Sequence, residues 1–94
     1  MKQYTDRLLK DDDWILTKIT KENHSQITKW GIQSHSAFEW LTFTAEELGE
    51  LAQAVSESEY RSGTPANVVK EAIQLATLAL KIAEMFEPDM EGKT

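Results

Sequence analysis

Three glutamates stand close together in the middle of an apolar part of the chain. Glu46, Glu47 and Glu50 lie in the stretch TAEELGEL, and Glu71 and Gln74 follow in KEAIQLATLAL. Carboxylates and amide carbonyls are the oxygen ligands of hard divalent cations, and magnesium takes about six oxygens, several of them from waters and substrate phosphates. The chemistry that these residue types indicate is therefore the binding of a divalent cation.

Helical phase places these glutamates toward the interior. At about 100° per residue, Glu71 falls inside the apolar arc of its helix, near Leu75 and Leu78. On the preceding helix, Glu47 and Glu50 are neighbours at i, i+3 and lean toward the core, while Glu46 lies further out. The polar residues of the later helix share another side, which we expect to face solvent: Lys70, Thr77, Lys81 and Glu84.

Burial of these carboxylates requires a neutralising partner. An ionised carboxylate without a partner in an apolar environment costs several kcal/mol or more. Lys70 and Lys81 point toward the solvent side of their own helix on this phase, so a cation is the better candidate. The predicted ligands are Glu47, Glu50, Glu71 and Gln74. The alternative is that glutamates occupy an ordinary solvated helix face, and for Glu46 this alternative is favoured.

Periodicity and breaker residues predict one all-α domain of 94 residues. The predicted segments are an irregular arm over 1–16, a first helix over 17–30, a second over 37–60, a third over 65–86 and a tail over 87–94. Gly31 is expected to end the first helix and Pro88 the third. Ser34 or Ser36 is expected to cap the second helix, and Thr64 the third.

The third predicted helix is apolar over more than one stripe. Two long helices with a short connection are expected to pack as an antiparallel hairpin, but one hairpin partner cannot cover so wide an arc. We therefore expect a second subunit to cover the remainder, giving an intersubunit four-helix bundle in a homodimer or a dimer of dimers.

Composition narrows the class of protein further. The formal net charge of −6 argues against a nucleic-acid surface, and the last helix is too apolar to be a recognition helix. The chain has no cysteine, its N-terminal residues lack the apolar segment of a secretory signal, and no apolar run approaches the roughly 20 residues that span a bilayer. These features predict a cytoplasmic protein with no nucleic-acid or membrane partner.

The pair EELGE and EAIQ on successive helices resembles the MazG-like, all-α nucleoside triphosphate pyrophosphohydrolases, a superfamily that includes the dimeric dUTPases and phosphoribosyl-ATP pyrophosphatase. The signature of that superfamily is E-x-x-E followed by E-x-x-D. Here Glu47 and Glu50 form the first half, and Glu71 and Gln74 form the second. The resemblance covers about residues 34–86. The last acid of the signature is replaced by Gln74, a neutral amide that coordinates hard cations more weakly and cannot act as a base.

The resemblance implies a magnesium-dependent cleavage of a nucleoside triphosphate into the monophosphate and pyrophosphate, with manganese as a second candidate ion. It implies that Glu47, Glu50 and Glu71 hold the metal, and that one of them, or Glu46, orients or deprotonates the attacking water. Gln74 would lie beside the metal, and Lys81 could reach a phosphate.

Recognition of the base is harder to read from the residues. Trp30, Trp40 and Phe43 could stack on a base, or they could belong to the core. Gln33 and His35 could line the mouth of the site or organise a turn. The competing function is a catalytically inactive helical oligomer of the same scaffold that serves nucleotide binding or assembly, and Gln74 in place of the acid favours it.

Overall fold

The computed structural model describes residues 1–10 and 12–92, and within them it is all-helical. The four helices are α1 (Lys2–Leu9), α2 (Asp12–Trp30), α3 (Ala37–Tyr60) and α4 (Pro65–Gly92). α3 packs against α4, α2 packs against α4, and α1 contacts α2. The predicted all-α class is confirmed. None of the helices in the described residues has the length and apolar character needed to cross a bilayer.

The residues that start and stop the central helices act largely as predicted. Gly31 adopts a left-handed φ of 75° directly after α2, and its N–H donates to the carbonyl of Ile27. Ser36 is the N-cap of α3, where its hydroxyl accepts from the N–H of Glu39 and the Glu39 side chain accepts from the N–H of Ser36. This reciprocal capping box fixes the start of the helix that carries two of the clustered glutamates.

The connection between α3 and α4 is short and tight. The N–H groups of Arg61 and Gly63 both donate to the carbonyl of Glu57, at 2.9 and 2.8 Å. A β-carbon at position 63 would lie 2.8 Å from the carbonyl carbon of Glu57, so only glycine fits there. Thr64 then caps α4 by accepting from the N–H of Asn67, as predicted for a Thr-Pro pair.

Both ends of the chain differ from the sequence prediction. The predicted irregular arm over 1–16 is helical over most of its described length, because α1 and the start of α2 occupy it. The acidic residues that suggested a polar arm include Asp13, which lies in the first turn of α2, where carboxylates interact favourably with the helix dipole. The prediction that Pro88 ends the last helix is also wrong. α4 continues through Pro88 to Gly92, because the fixed φ of proline is compatible with a helix, although its ring removes one backbone hydrogen bond and crowds the carbonyl four residues earlier.

The described part of the chain buries few apolar side chains. Only Trp40 and Ala54 among its hydrophobic residues are buried, while Leu41, Leu48 and Val55 on α3 are 43–56% exposed. The core lies between α3 and α4 and is narrow. Much of the apolar surface of these two helices is therefore not covered within one chain.

Candidate metal centre and the adjoining cleft

Three carboxylates from two helices converge on one point. Glu47 and Glu50 project from α3 and Glu71 from α4, and one oxygen of each lies within 4.8 Å of the others. Glu47 and Glu71 are half-buried and Glu50 is exposed. The structure thus brings together the three glutamates that helical phase placed on facing sides.

Gln74 binds two of these carboxylates. The amide orientation that gives both of its polar atoms complementary partners turns Nε2 toward the acids. Nε2 then donates to Glu71 Oε2 at 2.8 Å and to Glu47 Oε1 at 2.7 Å. In this orientation Gln74 acts as a donor that joins α4 to α3. It would present a carbonyl oxygen to a cation only after the amide group turned over.

The cluster holds a proton in the absence of a cation. Burial, hydrogen bonds with Glu71 and Glu50, and the negative charges of both raise the pKa of Glu47 to about 9. The physical cause is that neighbouring carboxylates in a partly desolvated site cannot all be ionised at neutral pH. A proton on Glu47 and the amide hydrogens of Gln74 together reduce the repulsion among the acids.

The donor set fits a small divalent cation. A magnesium ion with ligands at about 2.0–2.1 Å places neighbouring oxygens about 2.9 Å apart and opposite ones about 4.2 Å apart. Three ligands of an octahedron include at least two neighbouring pairs, so oxygens that lie up to 4.8 Å apart must close by as much as about 2 Å per pair to share one ion, a distance that side-chain rotation of the glutamates can cover. Three carboxylates also leave coordination positions for waters or phosphates.

The cluster opens onto a large cleft. The cleft has a volume of about 1060 Å³ and is lined by residues of α2, of the segment between α2 and α3, and of both later helices. Glu46, Glu47, Glu50 and Gln74 all line it. Glu46 is exposed and lies outside the group of three, as its helical phase predicted. This volume is at the upper end for a small-molecule site, which is about 300–1000 Å³.

The side of α4 that was expected to face solvent is partly covered. Thr77 is only 2% exposed and Lys81 is half-buried, so the expectation of a solvent face is wrong for both. The reason is that α2 packs on α4, which periodicity within α4 cannot reveal. Thr77 tolerates burial because its hydroxyl donates to the carbonyl of Ile73 in the same helix, at 2.8 Å.

Lys81 occupies a defined position in the cleft. Its Nζ donates to Gln26 Oε1 of α2 at 2.5 Å and lies 5.0 Å from the centre of the Trp40 ring. Burial lowers the pKa of Lys81, and the charges of Glu22 and Glu84 partly oppose that effect. The ammonium group is thus held between α2, α3 and α4, beside the aromatic residue predicted to face either a base or the core.

The aromatic residues form a small group at one end of the cleft. The His35 ring meets the rings of Trp40 and Phe43 edge-on, with centroids 4.9 and 5.1 Å apart. Trp40 is 8% exposed, so its ring belongs mainly to the core, whereas Trp30 is 61% exposed on the cleft wall and is not a core residue. Stacking on Trp30 is sterically more accessible than stacking on Trp40.

Gln33 and His35 organise the chain before α3 and also line the cleft. His35 Nε2 lies 3.2 Å from Gln33 Oε1, and Nδ1 lies 3.6 Å from Glu39 Oε2. Since Glu39 belongs to the capping box of α3, these contacts connect the turn to the helix start. Both alternatives considered for this pair, a turn and a cleft wall, are compatible with its position.

Sequence reasoning missed the contribution of α2. Gln26 is buried, accepts from Lys81 and donates to Glu22 Oε2 at 2.7 Å. The i, i+4 spacing of Glu22 and Gln26 was a visible signal for a paired helix face. Nothing in the sequence indicated that this face meets α4.

Comparison with protein-family models, with curated proteins and with solved structures finds no match. The resemblance to the MazG-like superfamily therefore rests on the motif residues.

Proposed function

We propose that the chain is a magnesium-dependent nucleoside triphosphate pyrophosphohydrolase that converts a nucleoside triphosphate to the monophosphate and pyrophosphate. Its role would be the removal of unwanted nucleotides from the cytoplasmic pool. The observation that carries the proposal is the convergence of Glu47, Glu50 and Glu71 at the edge of a cleft large enough for a nucleotide. Carboxylates that meet beside an open cleft are suited to a metal that also contacts phosphates.

Each residue of the cluster has a part in this proposal. Glu47, Glu50 and Glu71 would hold Mg²⁺, with Mn²⁺ as a second candidate ion. When bound, the ion would neutralise phosphate charge and acidify a coordinated water. Glu46 lines the same cleft and is exposed, so it, or one of the other three glutamates, would accept a proton from the water that hydrolyses the link between the α- and β-phosphates.

The other end of the cleft would receive the rest of the substrate. Lys81 is a cation beside an aromatic ring and would bind a phosphate oxygen. Trp40, Gln33 and His35 would form the adjoining wall, with Trp30 offering an exposed face for a base.

We also propose that α3 and α4 form an antiparallel hairpin that pairs with a second copy in an intersubunit four-helix bundle. The support is a stripe of small and aliphatic residues along α3, all exposed in the single chain, at the 4,3 spacing of a helix–helix seam: Leu41, Ala45, Leu48, Ala52 and Val55. Exposed apolar stripes of this regularity are typical of helices that pack on a partner. A homodimer, or a dimer of dimers, would cover them.

One observation favours the alternative function, an inactive helical oligomer that serves nucleotide binding or assembly. Gln74 donates to Glu47 and Glu71 and so partly satisfies the carboxylates without a cation. A site with this built-in donor binds metal more weakly than one with a fourth acid.

A pyrophosphate-release assay separates the two functions. The protein would be incubated with magnesium and each of a panel of nucleoside triphosphates, including dUTP, dCTP and 8-oxo forms. Turnover that disappears in Glu71→Gln and persists in Glu59→Gln, an exposed glutamate on α3, supports the hydrolase. Magnesium binding without turnover of any substrate supports the inactive oligomer.

A further inference from the structure

The partner of Lys81 is unusual for a lysine in an acidic protein. Its ammonium group donates to the neutral amide oxygen of Gln26, and the amide hydrogens of Gln26 are turned toward Glu22. Gln26 thus stands between the lysine and the nearest carboxylate of α2. The charges of Glu22 and Glu84 act on Lys81, but neither carboxylate forms an ion pair with it within 4.0 Å. Because an amide oxygen accepts a hydrogen bond without carrying a charge, the ammonium group stays available to a further anion.

Lys81 lies two helical turns from Gln74 along α4, and Trp40 lies two helical turns from Glu47 along α3. Seven residues separate Lys81 from Gln74 on α4, and seven separate Trp40 from Glu47 on α3. Seven residues of α-helix correspond to about 10 Å. The cation–aromatic pair, whose centres are 5.0 Å apart, is therefore displaced by two helical turns from the carboxylates along both helices of the same cleft.

The position of Lys81 depends on α2. The aromatic ring offers attraction over a broad face, whereas the hydrogen bond to Gln26 specifies one position for Nζ. Gln26 is itself buried and held by Glu22, so it has little rotamer freedom to lose when Lys81 binds an anion. A lysine held in place in this way avoids part of the entropy cost of ordering a long side chain.

We propose that Gln26 is a positioning residue that holds the Lys81 ammonium group for the phosphate chain of the substrate, at the end of the cleft remote from the cluster of Glu47, Glu50 and Glu71. This inference rests on the proposed function for the identity of the substrate. It assigns to α2, which the motif does not include, a direct part in binding polyphosphate.

The test is titration calorimetry with inorganic tripolyphosphate in excess magnesium. The variants are Gln26→Leu, Gln26→Glu, Lys81→Met and the Gln26→Leu/Lys81→Met double variant. Thr28→Leu, at an exposed position of α2 away from the cleft, is the matched control. Circular dichroism and thermal melting of each variant report whether the helices are retained.

We expect Gln26→Leu to weaken tripolyphosphate binding about fivefold or more, as for loss of a hydrogen bond to a charged group. Lys81→Met should weaken it at least as much, and the double variant should match Lys81→Met, because Gln26 acts through Lys81. Gln26→Glu should keep the volume of the side chain yet still weaken binding, since its carboxylate neutralises the ammonium group, and its melting temperature should fall because the donor to Glu22 is lost. Thr28→Leu should bind as the parent does.

Three results would overturn the inference. These are absence of tripolyphosphate binding by the parent protein, unchanged binding by Gln26→Leu, and an effect of Gln26→Leu that is equally large in the Lys81→Met background. The proposed function fails separately, if tripolyphosphate binds with the expected dependence on Gln26 while no nucleoside triphosphate is hydrolysed. Turnover combined with indifference to Gln26 would leave the hydrolase intact and remove the positioning role.

Discussion

The amide of Gln74 on α4 donates to the carboxylate of Glu47 on α3 across a distance of 2.7 Å. This hydrogen bond joins the two helices at the point where the acidic side chains meet. It also engages one of the two carboxylate oxygens of Glu47, a residue of the proposed metal site. We therefore expect Gln74 to stabilise the metal-free protein and to lower its affinity for a metal ion.

Replacement of Gln74 by glutamate should reverse that balance. Gln74→Glu removes the donor and adds a fourth negative charge at nearly constant volume. We expect the metal-free protein to lose about 1–3 kcal/mol of stability, the usual cost of leaving a partly buried acceptor unpaired. Magnesium should then raise the melting temperature by more than it does in the parent.

Thermal melts with and without magnesium provide the measurement. Gln53→Glu is the control, because Gln53 is exposed on α3 and outside the cleft that adjoins the acids. An equal magnesium response in the parent and in Gln74→Glu would contradict a cation site at this position.

Removal of one carboxylate should abolish the response to metal. In the parent, magnesium or manganese at millimolar concentration should raise the melting temperature, because a ligand that binds only the folded state stabilises it by mass action. Glu71→Gln should eliminate the shift, while Glu59→Gln should retain it. If neither magnesium nor manganese changes the melting temperature of the parent protein, the chain has no metal centre of this kind.

The stability of the metal-free protein should fall as pH rises from about 5 to 9. An unfolded glutamate titrates near 4.5, whereas the pKa of folded Glu47 is about 9. Between these values the folded chain holds a proton that the unfolded chain has lost, so raising the pH favours unfolding. Urea unfolding at pH 5.5 and 8.5, in chelator, measures the effect.

The Glu47→Gln variant tests whether the proton held by the folded chain is bound to Glu47. It should flatten the pH dependence and stabilise the metal-free protein at pH 8.5, since the amide carries no charge there. Should the parent and the variant give the same slope between pH 5.5 and 8.5, Glu47 is not the group responsible. The lowered pKa of Glu39, which arises from its hydrogen bonds to Ser36, acts only in the acid range below this window.

Metal binding should release a proton from the same cluster. A cation requires ionised carboxylates, so binding at pH 7 should liberate about one proton per ion, and affinity should increase with pH up to about 9. Calorimetric titration of magnesium in buffers of different ionisation enthalpy counts the protons. A buffer-independent enthalpy would exclude the linkage.

A charge introduced into the exposed stripe of α3 should separate the subunits. Leu48 is 56% exposed in the single chain and lies at the centre of the stripe. Leu48→Lys would bury an unpaired ammonium group in an intersubunit seam and should produce monomers. Gln53→Lys adds the same charge at an exposed position on a different side of α3 and should leave the oligomer unchanged.

Light scattering coupled to size-exclusion chromatography gives the mass of each variant. The chain has a mass of 10.7 kDa, so a dimer is readily distinguished. A parent protein that elutes at the mass of one chain at about 100 µM would refute the bundle, because its dissociation constant would then exceed about 100 µM, an association free energy weaker than about −5.5 kcal/mol.

Sequence periodicity was sufficient to predict that the three glutamates come together, but not to predict that Lys81 and Thr77 are covered. Glu47, Glu50 and Glu71 were predictable because α3 and α4 face each other through apolar sides, and a carboxylate within such a side is conspicuous. Lys81 and Thr77 were misassigned because their side of α4 is polar and yet is covered by α2. Which helix covers a polar side depends on packing between elements distant in sequence, which periodicity within one helix does not encode.

The ends of the chain illustrate a second limit. Acidic residues near position 13 fit both an irregular segment and the first turn of a helix, so composition alone could not decide between them. Pro88 predicts a helix end, because proline removes a backbone hydrogen bond and crowds the carbonyl four residues earlier, yet α4 continues to Gly92.

Gly63 has no side chain, yet the tight turn that it allows affects the distance between the carboxylates of α3 and Glu71 on α4. Its backbone folds back onto Glu57 with no room for a β-carbon, and α4 starts two residues later. Even a methyl group there would lift the beginning of α4 off the end of α3, and Glu71 rides on the second turn of that helix. The tightness of this bend thereby constrains the spacing between the carboxylates of α3 and the carboxylate that α4 contributes.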